Sequence, residues 1–231
     1  MSGGDSRAKI LGTIRQSLQG ARHLPLAPQV TLPPPPSEAT AAWMAERFAA
    51  ELTKLTGTVI SLPAAQVAGW LLGLMAERQV TDLLSWHAAD LPVPGLLDAL
   101  QAGGVRLVDT ALPRAEPGRT AALERVEKVT FGLTGADAGF AETGTLALTA
   151  GLGRPRLASL SVRTHVALLD PRRLYPSWAA WLVAEGPRAA ERLAGSSNLT
   201  LITGPSRTGD IEMTLTVGVH GPAELIVVLV G

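Results

Sequence analysis

Apolar residues first recur at helical spacing at Ile10, Leu11, Ile14 and Leu18, with Gly20 where a left-handed cap belongs, so the pattern predicts a short helix between Asp5 and Gly20. From Ala21 to Pro36 that pattern breaks. This stretch holds six prolines, including the run Pro33 to Pro36, which cannot donate backbone hydrogen bonds and favours extended polyproline geometry. Residues 1–36 are therefore expected to be an N-terminal helix with a proline-rich linker, and residues 37–231 a single α/β domain. Ser37 is read as the N-cap of a helix whose Met44, Phe48, Leu52 and Leu55 share one face, closing near Gly57. A strand at Thr58 to Leu62, a helix from Pro63 through Arg78 and a strand at Val80 to Ser85 follow. The rhythm continues with a helix at Leu96 to Ala102, a stop at Gly103-Gly104, a strand at Val105 to Asp109 and a charged helix near Arg119 to Val126. Strands alternating with helices imply a mostly parallel sheet covered on both faces.

Beyond residue 127 the runs Val129–Leu133, Gly144–Ala150, Leu157–Ser161 and His165–Leu169 all look like strands, with no room for long helices between them, so some must pair antiparallel. Helical signal returns at Ser177 to Leu193, interrupted by Gly186-Pro187, before strands at Leu199–Thr203 and Glu224–Val230. The expected whole is a mixed α/β domain with an inserted or appended antiparallel element.

Composition narrows the chemistry. The 231 residues are 46% hydrophobic and 17% charged, enough apolar material for a real core. Twenty basic and twenty acidic residues cancel, so no molecule-wide field draws nucleic acid or an anionic membrane, and any anion site must be local. There is no cysteine, which excludes thiolate nucleophiles, disulfides and cysteine-ligated zinc or iron–sulfur clusters. The apolar stretches fall short of the roughly 18 to 20 residues of a bilayer span and Met1 to Lys9 lacks a signal-peptide core, so a cytoplasmic protein is expected.

Two stretches carry candidate chemistry. The first, Gly135 to Thr145, is read as a glycine-rich loop between strands. It matches neither a dinucleotide fingerprint nor a P-loop. Glu142, set among Gly, Ala and Phe, is expected to be partly desolvated and suited to acid–base work or nucleophilic attack; the alternative is a carboxylate bonding loop amides, a turn-forming role that also fits Asp137. The second, Thr203 to Glu212, follows an apolar strand whose carboxyl end would offer free amides with Ser206, Arg207 and Thr208 to an anion, while Asp210 and Glu212 stand ready to clamp Arg207 instead.

Histidines 23, 87, 165 and 220 show no metal-ligand spacing; His165 and His220 are the two that would titrate near neutrality if they faced a crevice. Arg154, Arg156, Arg163, Arg172 and Arg173 against Asp170 alone give a local excess of four positive charges, open to an acidic ligand or simply solvated. Trp178 and Trp181, three apart on a helix, fit core packing or a partner-facing patch. No metal site and no cofactor is read from these residues.

Taken together, GADAGFAETGTLALTA (Gly135 to Ala150), RTHVAL (Arg163 to Leu168) and NLTLITGPSRTGDIEMTLTVGVHG (Asn198 to Gly221) resemble the signature blocks of the lactate utilisation domain (LUD) family, in its lactate utilisation protein C type. Gly209 stands where that family usually has Ala, leaving Ser206, Arg207, Thr208, Asp210 and Glu212 in register. The resemblance implies a three-layer α/β/α mixed sheet similar to the ribose-5-phosphate isomerase, glucosamine-6-phosphate isomerase and coenzyme A transferase fold. It also implies a part in bacterial oxidation of L-lactate to pyruvate beside iron–sulfur partner proteins. A chain without cysteine would then bind, position or regulate in that system, without carrying electrons. The expected contacts for a small anionic metabolite are Gly144, Thr145, Gly204, Ser206, Arg207, Thr208, Asp210 and His220, with Glu142 as the candidate catalytic residue. The competing reading is a stand-alone isomerase or transferase acting on a phosphorylated sugar or coenzyme A thioester through Glu142, and a third is an anion-sensing module without turnover.

Overall fold

The computed structural model describes residues 3–19, 39–209 and 215–231, in two compact units bounded at Leu32 and Pro33. Asp210, Glu212, His23, the Ser37 cap and the proline-rich stretch lie outside the described residues. In the first unit, α1 (Gly3–Leu18) leaves Ile10, Ile14 and Leu18 exposed.

The second unit starts with α2 (Ala41–Lys54), capped by Thr40, whose hydroxyl accepts from the Trp43 amide. Phe48 and Leu52 point into the core, as the helical period requires. Then follow β1 (Thr58–Leu62), α3 (Ala64–Glu77), β2 (Asp82–Ser85), α4 (Leu96–Ala102), β3 (Arg106–Leu107), α5 (Gly118–Glu127) and β4 (Phe131–Gly135). β5 (Ala138–Phe140), β6 (Thr145–Ala150), α6 (Leu157–Leu160), β7 (Thr164–Leu169), β8 (Leu174–Tyr175), α7 (Trp178–Glu185) and α8 (Pro187–Gly195) come next, and β9 (Asn198–Ile202), β10 (Arg207–Gly209), β11 (Leu215–Val217) and β12 (Glu224–Val230) complete the described chain.

Six strands form one parallel sheet in the order β1-β12-β7-β4-β2-β3, flanked by helices. Every residue of β4 and β7 is buried, and Val166 to Leu169 of β7 form a continuous apolar run because a strand covered on both faces has no solvent side to make polar. A second, four-stranded sheet, β8-β5-β6-β9, pairs β6 antiparallel with both its neighbours. It is assembled from two crossovers, β5 and β6 lying between β4 and β7 in sequence, β8 and β9 between β7 and β12. Its small core is Ala138, Phe140, Ala147 and Trp181, with Trp178 edge-on to Phe140 at 5.4 Å between ring centroids. The tryptophan pair thus serves packing.

Three expectations change. Leu157–Ser161 is a short helix, not a strand, and it presses so close to β4 that a Cβ on Gly132 would lie 1.9 Å from the Ala158 carbonyl oxygen. The stretch from Gly135 to Thr145 is not a loop, because β5 occupies its middle. β9 is an edge of the second sheet, so Ser206 to Thr208 do not follow a strand of the parallel sheet.

Candidate functional site

β2, β4 and β7 are neighbours in the parallel sheet, and the residues just beyond their carboxyl ends, Trp86, Ala136-Asp137 and Asp170, line one crevice of about 190 Å³. That is where open parallel sheets place ligands, since the crossovers diverge there. Arg154, Arg172 and Arg173 complete its polar wall.

Asp137 is the centre of this region, with only 1% of its side chain exposed. Its Oδ2 accepts from the Thr149 amide at 2.6 Å and the Thr149 hydroxyl at 2.7 Å. Oδ1 accepts from Arg154 Nη1 at 2.8 Å and Arg192 Nη1 at 3.2 Å. Burial alone would push this carboxyl up, but the two Thr149 bonds and the Arg154 guanidinium outweigh it and hold the group below the ordinary carboxylate range. With both oxygens occupied, Asp137 fixes guanidiniums in place and is not disposed to relay protons.

Arg154 is held from four sides. Besides Asp137 it donates from Nε to Asp90 at 2.7 Å and from Nη1 to the Thr149 hydroxyl at 3.0 Å, and its guanidinium carbon lies 4.9 Å from the centroid of the Trp86 ring. Burial opposes its charge, yet the Asp90 and Asp137 bonds raise its pKa. The backbone delivers it through a tight turn in which Gly151 and Arg154 exchange amide–carbonyl bonds of 3.3 and 3.0 Å. Gly153 closes that turn at φ +78°, and a Cβ there would come within 2.9 Å of both Asp90 Oδ2 and His87 Nδ1, so only glycine fits. Arg173 donates to the Asp137 carbonyl at 3.4 Å and has no carboxylate at ion-pair distance among the described residues.

The two stretches singled out in the sequence meet elsewhere. Thr145 Oγ1 bonds Thr143 Oγ1 at 2.7 Å and Thr203 Oγ1 at 2.8 Å, Gly144 packs against Leu52 of α2, and Gly204 packs against Leu55, which caps that helix. Arg207 reaches the same helix end, its Nη2 donating to the Leu55 carbonyl at 2.7 Å and the Thr56 hydroxyl at 2.9 Å. Glu142 is exposed, so the expected desolvation is absent; its amide donates to the Pro176 carbonyl at 3.0 Å. Ser206 exchanges backbone bonds with Pro222 and Gly218, and Thr208 lies in β10, paired with Thr216 of β11. His220 is exposed and lines a different hollow, about 500 Å³, beside Arg163 and Glu127 near the starts of β4 and β7. His165 is fully buried in β7 and faces no crevice, Nε2 bonded to Thr134 Oγ1 at 2.8 Å, and burial pushes its pKa down to about 3, so it stays neutral.

The LUD domain model matches residues 45–230, all but the first stretch of the chain. The chain belongs to the LUD domain family. Among curated relatives of this LUD domain, "Lactate utilization protein C" of Halalkalibacterium halodurans is 31% identical over 157 residues, covering 68% of this chain and 66% of that protein. The protein of the same name from an Exiguobacterium species is 36% identical over 110 residues, 48% of each chain. The matched region thus spans about half to two-thirds of these relatives' own length. A solved DUF162 family protein from Deinococcus radiodurans superposes with a TM-score of 0.59 at 19% identity, over 83% of this chain and 99% of that one, which establishes a shared fold.

Within this LUD domain, sequence reasoning noticed Arg154, Arg172 and Arg173 as a basic cluster but took Asp137 for a turn-former. Arg192 went unnoticed. Its signal was faint: an arginine near the end of a helix, 55 residues from the carboxylate it pairs with.

Proposed function

We propose that this chain serves lactate utilisation as a component without redox centres, binding a small anionic metabolite in the crevice at the ends of β2, β4 and β7 and acting with iron–sulfur partner proteins. The relatives' name supports the pathway. The absence of cysteine supports the division of labour, because electrons in such a system need ligands this chain lacks. The observation that carries the ligand is Arg173, a guanidinium on the crevice wall with no carboxylate at ion-pair distance among the described residues, beside the fixed Arg154. A stand-alone isomerase or transferase built on Glu142 has no observation in its favour, since that side chain faces solvent.

The test is genetic and biochemical. A strain lacking this chain should fail to grow on L-lactate, recover with the wild type, and recover poorly with Arg172→Gln/Arg173→Gln. Tagged protein from the same cells should retain cluster-bearing partners. Normal growth of the deletion strain, with no such partner retained, sinks the proposal.

A further inference from the structure

A second hollow, about 470 Å³, is lined by residues at the end of β6 and the end of α8 and shares Arg154 and Arg173 with the strand-end crevice. Arg154, Arg173 and Arg192 line it together with Ser196, and no Asp or Glu does so among the described residues. Three like charges would ordinarily spread apart; here one buried carboxylate oxygen, Asp137 Oδ1, holds Arg154 and Arg192 from behind, while the Asp137 carbonyl takes Arg173. Donors remain. Arg154 uses Nε and Nη1 and Arg173 uses Nη1, which leaves Nη2 of each without a hydrogen-bond partner among the described residues. Arg192 is half-exposed and also donates to Glu185 at 3.2 Å, a residue outside the lining.

We propose that this hollow is a binding site for a phosphate-bearing metabolite, separate from the ligand of the strand-end crevice. A tetrahedral dianion presents several acceptor oxygens in different directions and suits guanidiniums arriving from three elements, whereas a carboxylate has two coplanar oxygens and a single charge, which one fork satisfies. The hollow is larger than a phosphate group needs, and Leu152, completely exposed on its rim at the tip of the Gly151–Arg154 turn, offers an apolar surface to the organic body. The hollow shares Arg154 and Arg173 with the strand-end crevice, whereas Arg192, Ser196 and Leu152 line it alone, and variants at Ser196 and Leu152 let this assignment fail while the lactate reading stands.

The experiment uses the full chain and inorganic phosphate as probe, with chloride and succinate at matched ionic strength, read by calorimetry and by Tm. Phosphate should bind saturably and raise Tm, with succinate much weaker. Ser196→Glu, which sets a carboxylate against the three arginines, and Leu152→Glu, on a residue fully exposed and therefore free of folding cost, should each weaken phosphate by at least about tenfold. Arg47→Gln, which removes an equal charge from the exposed face of α2, should leave binding unchanged. Phosphate no better than chloride, succinate equal to phosphate, or undiminished binding in Leu152→Glu would each overturn the assignment, the last of these deciding the matter even if Ser196→Glu fails to fold.

Discussion

Arg154 and Asp137 meet at 2.8 Å behind the strand ends, the carboxylate almost wholly buried and the guanidinium about one-quarter exposed. Arg154 lines two hollows, and Asp137 lines the first of them. One side of the arrangement is therefore structural and the other is available to ligands, and mutation should divide the two.

Asp137→Ala removes the carboxylate that both Arg154 and Arg192 bind, and should destabilise the domain by about 3 kcal/mol, the usual cost of orphaning one side of a buried ion pair. Equilibrium urea unfolding measures it. Asp137 also sets an acid limit. Its folded pKa lies below the ordinary value, so its stabilisation is complete above about pH 4 and fades as pH falls through the lower, folded value. Asp137→Asn should flatten that part of the stability curve below about pH 4; an unchanged acid limb would show that the carboxylate is not held as described.

His165 works on a different pH window. Neutral and buried in the native sheet, it has a folded pKa of about 3, while in the unfolded chain it accepts a proton near pH 6.5. Stability is full above about 6.5 and declines toward pH 3, by up to about 1.4 kcal/mol per unit, because the unfolded state holds the extra proton. Ring-proton NMR between pH 5.5 and 8 should show the His165 signals unmoved. A His165 midpoint near neutrality would contradict its burial against Thr134.

β12 was legible because burial on both faces writes itself as a continuous apolar run, and β1 and α4 also begin and end where the sequence pattern sets them. Short elements were not. Leu157–Ser161 has the residues of a strand, but Gly132 leaves space for a helical turn to pack on β4, a fact of the neighbour and not of the segment. Glu142 misled for a related reason. Its sequence neighbours are apolar, yet in a tight turn Ala141 and Gly144 go inward while Glu142 and Thr143 face water. The acid that matters, Asp137, is made by register: Thr149 lies 12 residues on and Arg192 55, and pairing of β5 with β6 and the return of α8 bring them together.

Gly132→Ala tests the contact that turned a strand-like run into a helix. The added methyl would collide with the Ala158 carbonyl, so α6 must move off β4 and open the packing around Val162. We expect a loss of at least about 2 kcal/mol in unfolding experiments, in line with overpacked cores, whereas Gly151→Ala, which meets nothing within 4 Å, should cost far less. Equal effects of the two would mean that α6 does not press on the sheet.

Arg207 separates a structural arginine from a ligand-binding one. Its Nη2 satisfies the Leu55 carbonyl at the carboxyl end of α2, where the helix dipole also favours a positive charge. Arg207→Ala should lower stability by about 0.5 to 1 kcal/mol, read by urea unfolding, while Arg207→Lys, retaining charge but not the fork, should recover part of it. Anion binding by either variant should match the wild type, because the hydrogen bonds drawn from Arg207 point to Leu55 and Thr56 rather than to the strand ends. A variant that unfolds normally yet loses anion affinity would return the site to Ser206 and Thr208, and would mean that the guanidinium leaves the helix end when ligand arrives.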